Sequence, residues 1–219
     1  MKGLFITGTD TGVGKTYVAV GIAQELVSRG FNVGVMKPAE TGCQIRKGQL
    51  MPSDALRLMS ATGSQDPLSL VNPYRFRNPL APSVAARLEK KNISDTRLLS
   101  AYKTLSQRHE FMIVEGAGGI MVPLSRNYLF LDLAEAFHLP VLIVSRPGLG
   151  TINHTLLTIV AMKRRRIKIA GVVVNYAEKW KQGLAERTSA AVIEALSGVR
   201  VLGTVGNKDR NFRDIVDKL

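Results

Sequence analysis

The chain has 219 residues, 45% of them apolar and 21% charged, which is a globular composition at the upper end of one ordinary domain. One cysteine, Cys43, excludes an intramolecular disulfide; the lack of a Cys/His cluster excludes a structural zinc; and no apolar run approaches the ~20 residues that cross a bilayer. Lys and Arg number 30 against 17 Asp and Glu, and the resulting +13 speeds encounter with nucleotides and nucleic acids without specifying a fold. The opening residues turn polar too early for a secretory signal, so a soluble, cytoplasmic, single-domain protein spanning 1–219 is expected.

In chain order, short apolar runs at 3–7, 32–37, 111–115, 141–145, 170–175 and 201–204 read as strands, several too apolar to have a wet face. Between them, helical patterns occupy 15–29, 54–62, 83–90, 95–108, 127–138, 151–166 and 181–196. In the first helix Val18, Ile22 and Leu26 recur on one face beside Ala19 and Ala23, and Gly30 supplies a stop. Strands alternating with helices predict an α/β fold: a doubly wound, mostly parallel sheet flanked by helices. Ligands of such sheets gather at the carboxyl ends of the strands.

The first strand runs into Gly8-Thr9-Asp10-Thr11-Gly12-Val13-Gly14-Lys15-Thr16 and then into a helix. A triphosphate needs converging backbone N–H groups and the positive end of a helix, which this composition provides. Lys15 would reach the β- and γ-phosphates and Thr16 would hold Mg²⁺, so the chain reads as a phosphate-loop NTPase-like fold. The first glycine of the common pattern belongs at position 9, where Thr9 stands; Gly8 precedes it by one. Partition-type ATPases carry a lysine five residues before the loop lysine, and that position is Asp10. A loop of this kind serves many reactions and names none.

Three other positions carry charge at strand or helix ends. Glu115 closes an apolar strand ahead of Gly116-Ala117-Gly118-Gly119, where a carboxylate could face Mg²⁺. Ser53 and Asp54 open a helix, as an N-cap and a favourable first-turn acid, or as part of a metal site. Lys37 ends the second strand with Thr41 close behind, as a surface lysine or as a chemical one. The basic run Lys163 to Lys168 falls at a helix C-terminus and reads as a solvated helix end, with nucleic-acid contact the alternative. His109 and His138 read as structural or exposed, and Cys43 as a thiol without a redox role.

Together these residues resemble the dethiobiotin synthetase family, the ATP-dependent ligases of biotin synthesis. The resemblance is densest over roughly residues 4–155. It is carried by Thr7-Gly8-Thr9-Asp10-Thr11 through Gly14-Lys15-Thr16, by Lys37-Pro38, Ser53-Asp54-Ala55 and Asn72-Pro73-Tyr74, and by Pro79 with Pro82-Ser83. Val114 to Gly119 with Pro123-Leu124, and Leu149-Gly150 with Ile152-Asn153-His154, extend it. Cobyrinic-acid amidotransferases share the loop but carry a glutaminase domain with a nucleophilic cysteine, for which this chain has neither length nor residue.

The resemblance implies that 7,8-diaminononanoate, CO₂ and Mg-ATP give dethiobiotin, ADP and phosphate through a carbamate and a carbamic–phosphoric anhydride. It implies nucleotide contacts from Gly12, Val13, Gly14, Lys15, Thr16 and Tyr17, from Gly116, Ala117 and Gly118, and from Asn175, Tyr176, Val205, Gly206 and Asn207. Asn175 matches the family's adenine-reading asparagine. It implies Mg²⁺ at Thr16, Asp54 and Glu115. Lys37 would steady the carbamate, with Thr11 and Thr41 as hydrogen-bond donors and Gly118 beside them; Lys37, Lys15 and Thr11 are the implied catalytic groups. The family is a homodimer with the diamine at the interface, so Leu149, Gly150 and Asn153 would come from the partner subunit.

Three positions depart from the family pattern. Gly12 stands where many members carry an acid, Gly206 where a proline is usual, and Arg187 where a tyrosine often approaches the substrate carboxylate. Arg187 could make a charge-assisted pair there. Two other readings stay open on sequence: a nucleotide-dependent partition factor whose basic face binds DNA, and a related ligase acting on a different amine.

Overall fold

The structure, a computed structural model, describes residues 3–176, 183–206 and 211–219. β1 (Gly3–Gly8) leads through the loop 9–14 into α1 (Lys15–Ser28). β2 (Val33–Met36) precedes three short strands, β3 (Ala39–Glu40), β4 (Gln44–Arg46) and β5 (Gln49–Met51), then α2 (Ser53–Thr62) and α3 (Leu68–Val71). β6 (Tyr74–Arg75), α4 (Pro82–Leu88) and α5 (Asp95–Ser106) lead to the long β7 (Phe111–Gly119). A hairpin of β8 (Pro123–Ser125) and β9 (Tyr128–Leu129) enters α6 (Phe130–Ala136). β10 (Val141–Ser145), α7 (Thr151–Arg164), β11 (Ile169–Asn175), α8 (Leu184–Ser197), β12 (Val201–Val205) and α9 (Arg213–Asp217) follow.

Six strands form the main sheet in the order β12-β11-β10-β1-β7-β2, and every pairing in it is parallel. Every residue of β1, β2 and β10 is buried, which is why these strands read as unbroken apolar runs rather than alternating ones. The chain leaves β1 for β2 on one side and later returns for β10, β11 and β12 on the other. The carboxyl end of β1 is therefore the point where strand order reverses, and a crevice opens there. Ile6 lies opposite Glu115 across the β1–β7 pairing, so the carboxylate arrives beside the phosphate loop.

α1 buries Val18, Ala19, Ile22, Ala23 and Leu26 against the sheet side of the molecule, the face its sequence spacing predicts. Gly14 takes φ 85° as the N-cap of α1, a left-handed conformation that favours glycine. A Cβ at Gly8 would lie 2.7 Å from the Asp10 carbonyl oxygen, 2.8 Å from Val13 and 3.1 Å from the Lys15 ammonium. The glycine displaced from the common pattern is thus needed where it stands, because the loop folds over it.

Several boundaries differ from expectation. The helix expected over 127–138 is confined to α6, because Arg126 and Asn127 form the turn of the β8–β9 hairpin; asparagine favours such turns. The strand expected to end at Glu115 continues to Gly119. The helix expected from 181 is described from Leu184, with 181–182 outside the described residues. The β4–β5 hairpin was not read from sequence; Lys47 and Gly48 both take positive φ at its turn, as a two-residue hairpin requires.

Candidate active site

A cavity of about 730 Å³ opens at the carboxyl ends of β1, β7 and β2. It gathers Thr11, Gly12, Gly14, Lys15, Thr16 and Tyr17 from the loop and α1. Lys37, Glu40 and Thr41 reach it from the segment after β2, Asp54 from α2, and Glu115, Ala117 and Gly118 from β7. Residues scattered over a hundred positions of sequence converge because the parallel sheet points all its carboxyl ends one way.

The loop is built to take an anion. No side chain caps the first turn of α1, so its N–H groups remain directed into the cavity end of the helix. The Lys15 ammonium curls back to within 3.5 Å of the Asp10 carbonyl. Burial, reinforced by repulsion from Lys37, pulls the Lys15 pKa down to about 8.

Deeper in, the Lys37 ammonium donates to Glu115 Oε1 at 2.5 Å, to Asp54 Oδ2 at 3.0 Å and to the Gly116 carbonyl at 3.3 Å. The Thr16 hydroxyl donates to the same Glu115 oxygen at 2.8 Å. Lys37 is 3% exposed and Glu115 fully buried. Burial opposes the lysine's charge, yet Glu115 and Asp54 together outweigh it and hold the ammonium ionised well above the ordinary lysine range. Burial likewise opposes the charge on Asp54, and Lys37 reverses that, leaving the carboxyl below its ordinary range. Lys37 is therefore a buried, ion-paired group and not a surface lysine. Its backbone is pinned on both sides: its N–H donates to the Val71 carbonyl at 2.7 Å, and its carbonyl accepts from the Asn72 side chain at 2.6 Å.

Thr16, Asp54 and Glu115 supply only hard oxygens, the donor set that suits Mg²⁺, and Glu115 Oε2 is buried without a hydrogen-bond partner among the described residues. No cluster of three His, Cys, Asp or Glu that could hold a metal occurs among the described residues; Mg²⁺ sites of this class use few protein ligands and complete the shell with phosphate and water.

The expected capping of α2 by Ser53 needs correction. Ser53 is the first helical residue, Pro52 is the N-cap, and no side-chain cap comes from it. The carboxylate of Glu40 does the work instead. Its Oε1 accepts from the Asp54 N–H at 2.9 Å and from the Ser53 hydroxyl at 3.3 Å, and its Oε2 accepts from the Ala55 N–H at 3.0 Å. Sequence reading missed Glu40, since nothing local links it to a helix start 13 residues on.

The remaining sequence candidates lie outside this cavity. Val13 is buried, and its carbonyl accepts from Asn175 Nδ2 at 2.8 Å, which joins the end of β11 to the loop. Asn175 is 1% exposed, and its Oδ1 has no partner among the described residues. The Tyr176 N–H donates to the Val205 carbonyl, and the Tyr17 hydroxyl donates to the Gly206 carbonyl at 3.3 Å. Asn207 lies outside the described residues. Leu149 is 89% exposed, and Gly150 and Asn153 are exposed at the start of α7, away from the cavity lining. Arg187 is exposed on α8 and folds back on the Gly183 carbonyl at 3.3 Å.

The basic run is a solvated helix end, as expected, and two of its side chains have partners there. Lys163 donates to the Ser197 carbonyl at 2.7 Å, and Arg165 pairs with Asp132 at 3.0 Å and with Glu135. His109 is structural, its ring nitrogens each 2.7 Å from Asp66 Oδ2 and Asn32 Oδ1.

The sheet order and the strand–loop–helix cradle define a phosphate-loop nucleotide-dependent α/β protein. A family model described as an AAA domain matches residues 2–210. The ParA family ATPase from Chlorobium tepidum superposes with TM-score 0.58 at 15% identity, covering 99% of this chain and 96% of that one. The MinC:MinD cell division complex of Aquifex aeolicus gives 0.58 at 14% identity, covering 100% and 86%. At such identities the likeness is one of fold.

Sequence relatives are nearer. An ATP-dependent dethiobiotin synthetase from Thermodesulfovibrio yellowstonii is 42% identical over 220 residues, covering 95% of this chain and 92% of that protein. Those of Bacillus licheniformis, 44% identical with 93% and 85% covered, and of Methanocaldococcus jannaschii, 37% identical with 94% of each covered, carry the same name. The chain belongs to the ATP-dependent dethiobiotin synthetase family.

Proposed function

We propose that this protein is a one-domain, cytoplasmic, Mg-ATP-dependent cyclo-ligase that converts 7,8-diaminononanoate and CO₂ to dethiobiotin, releasing ADP and phosphate. The observation that carries the reading is the meeting of Lys37, Asp54, Glu115 and Thr16 beside the Lys15 loop in one cavity. Among the described residues no helix is long and apolar enough to cross a membrane.

One amine of the diamine adds to CO₂, losing a proton and giving a carbamate. A carbamate oxygen attacks the γ-phosphorus as the bond to ADP breaks, and the second amine then attacks the carbonyl carbon of the mixed anhydride, expelling phosphate. Lys15 and the loop N–H groups neutralise charge on the transferring phosphoryl group, as phosphoryl transfer requires. Lys37, with Thr11 and Thr41 on the same cavity wall, holds the carbamate anion and its phosphorylated form. Thr16, Asp54 and Glu115 would hold Mg²⁺, which would supply charge neutralisation at the phosphates. For Lys37 to reach the carbamate it gives up at least one of its three acceptors, the Glu115 and Asp54 carboxylates and the Gly116 carbonyl.

Asn175 reads the adenine with its open Oδ1, while Tyr176, Val205 and Gly206 border the base; Asn207, a further nucleotide contact by family resemblance, lies outside the described residues. Leu149, Gly150 and Asn153 meet the diamine of a second subunit in a homodimer, and Arg187 pairs with its carboxylate.

ADP release measured with Mg-ATP and bicarbonate, with and without 7,8-diaminononanoate, tests the reading, with product mass taken in parallel. Release that depends on the diamine and a dethiobiotin mass are expected. Slow hydrolysis indifferent to the diamine sinks it, and stimulation by DNA would favour the partition-factor reading instead.

A further inference from the structure

Glu40 is 4% exposed, yet no cation neutralises it within hydrogen-bond range among the described residues. Both oxygens are spent on the first turn of α2, on the N–H groups of Asp54 and Ala55. An anion at a helix N-terminus accepting two N–H groups is an effective cap, and burial strengthens the bonds. Glu40 also belongs to β3, which pairs with β6, and it lies three residues after Lys37. One carboxylate thus ties the segment carrying Lys37 and Thr41 to the backbone of the residue whose side chain Lys37 contacts.

We propose that Glu40 is a positioning residue for this reaction. It fixes the Asp54 backbone, and thereby aims the Asp54 carboxylate at Thr16, Glu115 and the incoming divalent cation, without itself touching substrate. The assignment rests on the reading of Asp54 as a metal ligand given above. Asp54 is first-turn and a third exposed; the Lys37 ammonium holds its carboxylate from one side, and the N–H bond to Glu40 holds its backbone over the cavity. An apolar residue at 40 would leave the Asp54 and Ala55 N–H groups without an acceptor and let the turn fray.

The experiment compares wild type, Glu40→Gln, Glu40→Ala and Asp54→Asn. Mn²⁺ affinity is read by electron paramagnetic resonance on enzyme saturated with a non-hydrolysable ATP analogue, and nucleotide affinity is read separately in EDTA. Steady-state kcat and KM for the diamine complete the set. Glu40→Ala is expected to weaken Mn²⁺ at least tenfold and to lower kcat at least tenfold, with metal-free nucleotide affinity within twofold and KM within threefold. Glu40→Gln keeps the shape of the side chain but has one acceptor oxygen where two are used, so it falls between, and it keeps the test usable if the alanine variant does not fold. A residue that only stabilised the helix would lower the melting temperature and leave Mn²⁺ affinity and kcat alone. Wild-type Mn²⁺ affinity and kcat in both Glu40 variants overturn the assignment. Unchanged Mn²⁺ affinity in Asp54→Asn instead overturns the metal reading on which it rests, whatever the Glu40 variants do.

Discussion

The two ends of the proposed nucleotide site are prepared in opposite ways. Where β7 and β2 end, the buried lysine has already found opposite charges inside the protein, with Lys37 bonded to both Asp54 and Glu115. Where β11 ends, Asn175 is anchored through its amide nitrogen to the Val13 carbonyl, while its buried oxygen has no partner among the described residues. A buried acceptor left open is costly unless something else satisfies it, whereas a buried ion pair is costly to pull apart. On the proposed reading, the Asn175 end would receive the base without moving, and the Lys37 end would exchange partners before chemistry.

Removing Lys37 strikes that difference hardest. In Lys37→Ala, dethiobiotin formation should fall about 100- to 1,000-fold, the usual cost of losing one preorganised charge, while nucleotide still binds. The same change leaves two carboxylates facing each other without their counterion, and a buried pair broken from one side costs about 3–5 kcal/mol. Mg²⁺ should restore part of this loss, so the rise in melting temperature on adding Mg²⁺ should be larger in Lys37→Ala than in wild type. Equal rises would mean that the lysine and the cation do not share the carboxylates, and loss of nucleotide affinity in parallel would remove the substrate role of Lys37.

Asn175→Ala tests the other end. Losing a hydrogen bond to the base and the anchor to Val13 should weaken ATP by about 1–2 kcal/mol, or roughly 5- to 30-fold, with a smaller change for CTP. At saturating ATP, kcat should stay within about threefold, and the melting response to Mg²⁺ alone should match wild type. Isothermal titration with both nucleotides checks it. An equal loss for ATP and CTP would show that Asn175 holds the loop in shape and does not read adenine.

These two ends were unequally legible in the sequence. The phosphate loop, Thr16 and Glu115 are local: each sits at the junction of a strand and a glycine-rich turn, and the parallel sheet then assembles them as the strand order dictates. Local sequence leaves two readings open for Lys37 and for Asp54, because burial and mutual pairing set their surroundings and neither is visible in a short window. Glu40 was invisible for the same reason in stronger form, since its partners are backbone groups of another element. The small hairpins escape because their strands, two or three residues long, are too short to show a period of two; only the Lys47-Gly48 turn signals the first of them.

The smallest expected effect concerns how far the exchange at Lys37 spreads along its segment. Cys43 is 4% exposed; its N–H donates to the Phe76 carbonyl at 3.0 Å, and its thiol donates to the Glu40 carbonyl at 3.6 Å. Burial, with the nearby charge of Glu40, pushes the thiol up to about 11, so at pH 8 only about a thousandth of it is thiolate, the reactive form. Iodoacetamide should therefore modify the folded protein slowly at pH 8 and the unfolded protein fast, with mass spectrometry as the readout. If partner exchange at Lys37 is a side-chain event, with Glu40 and Asn72 holding the backbone still, Mg-ATP should leave that rate unchanged. A tenfold acceleration on adding Mg-ATP would show the segment opening as a unit, and the charged end of the site would then differ from the base end in backbone mobility as well as in pairing.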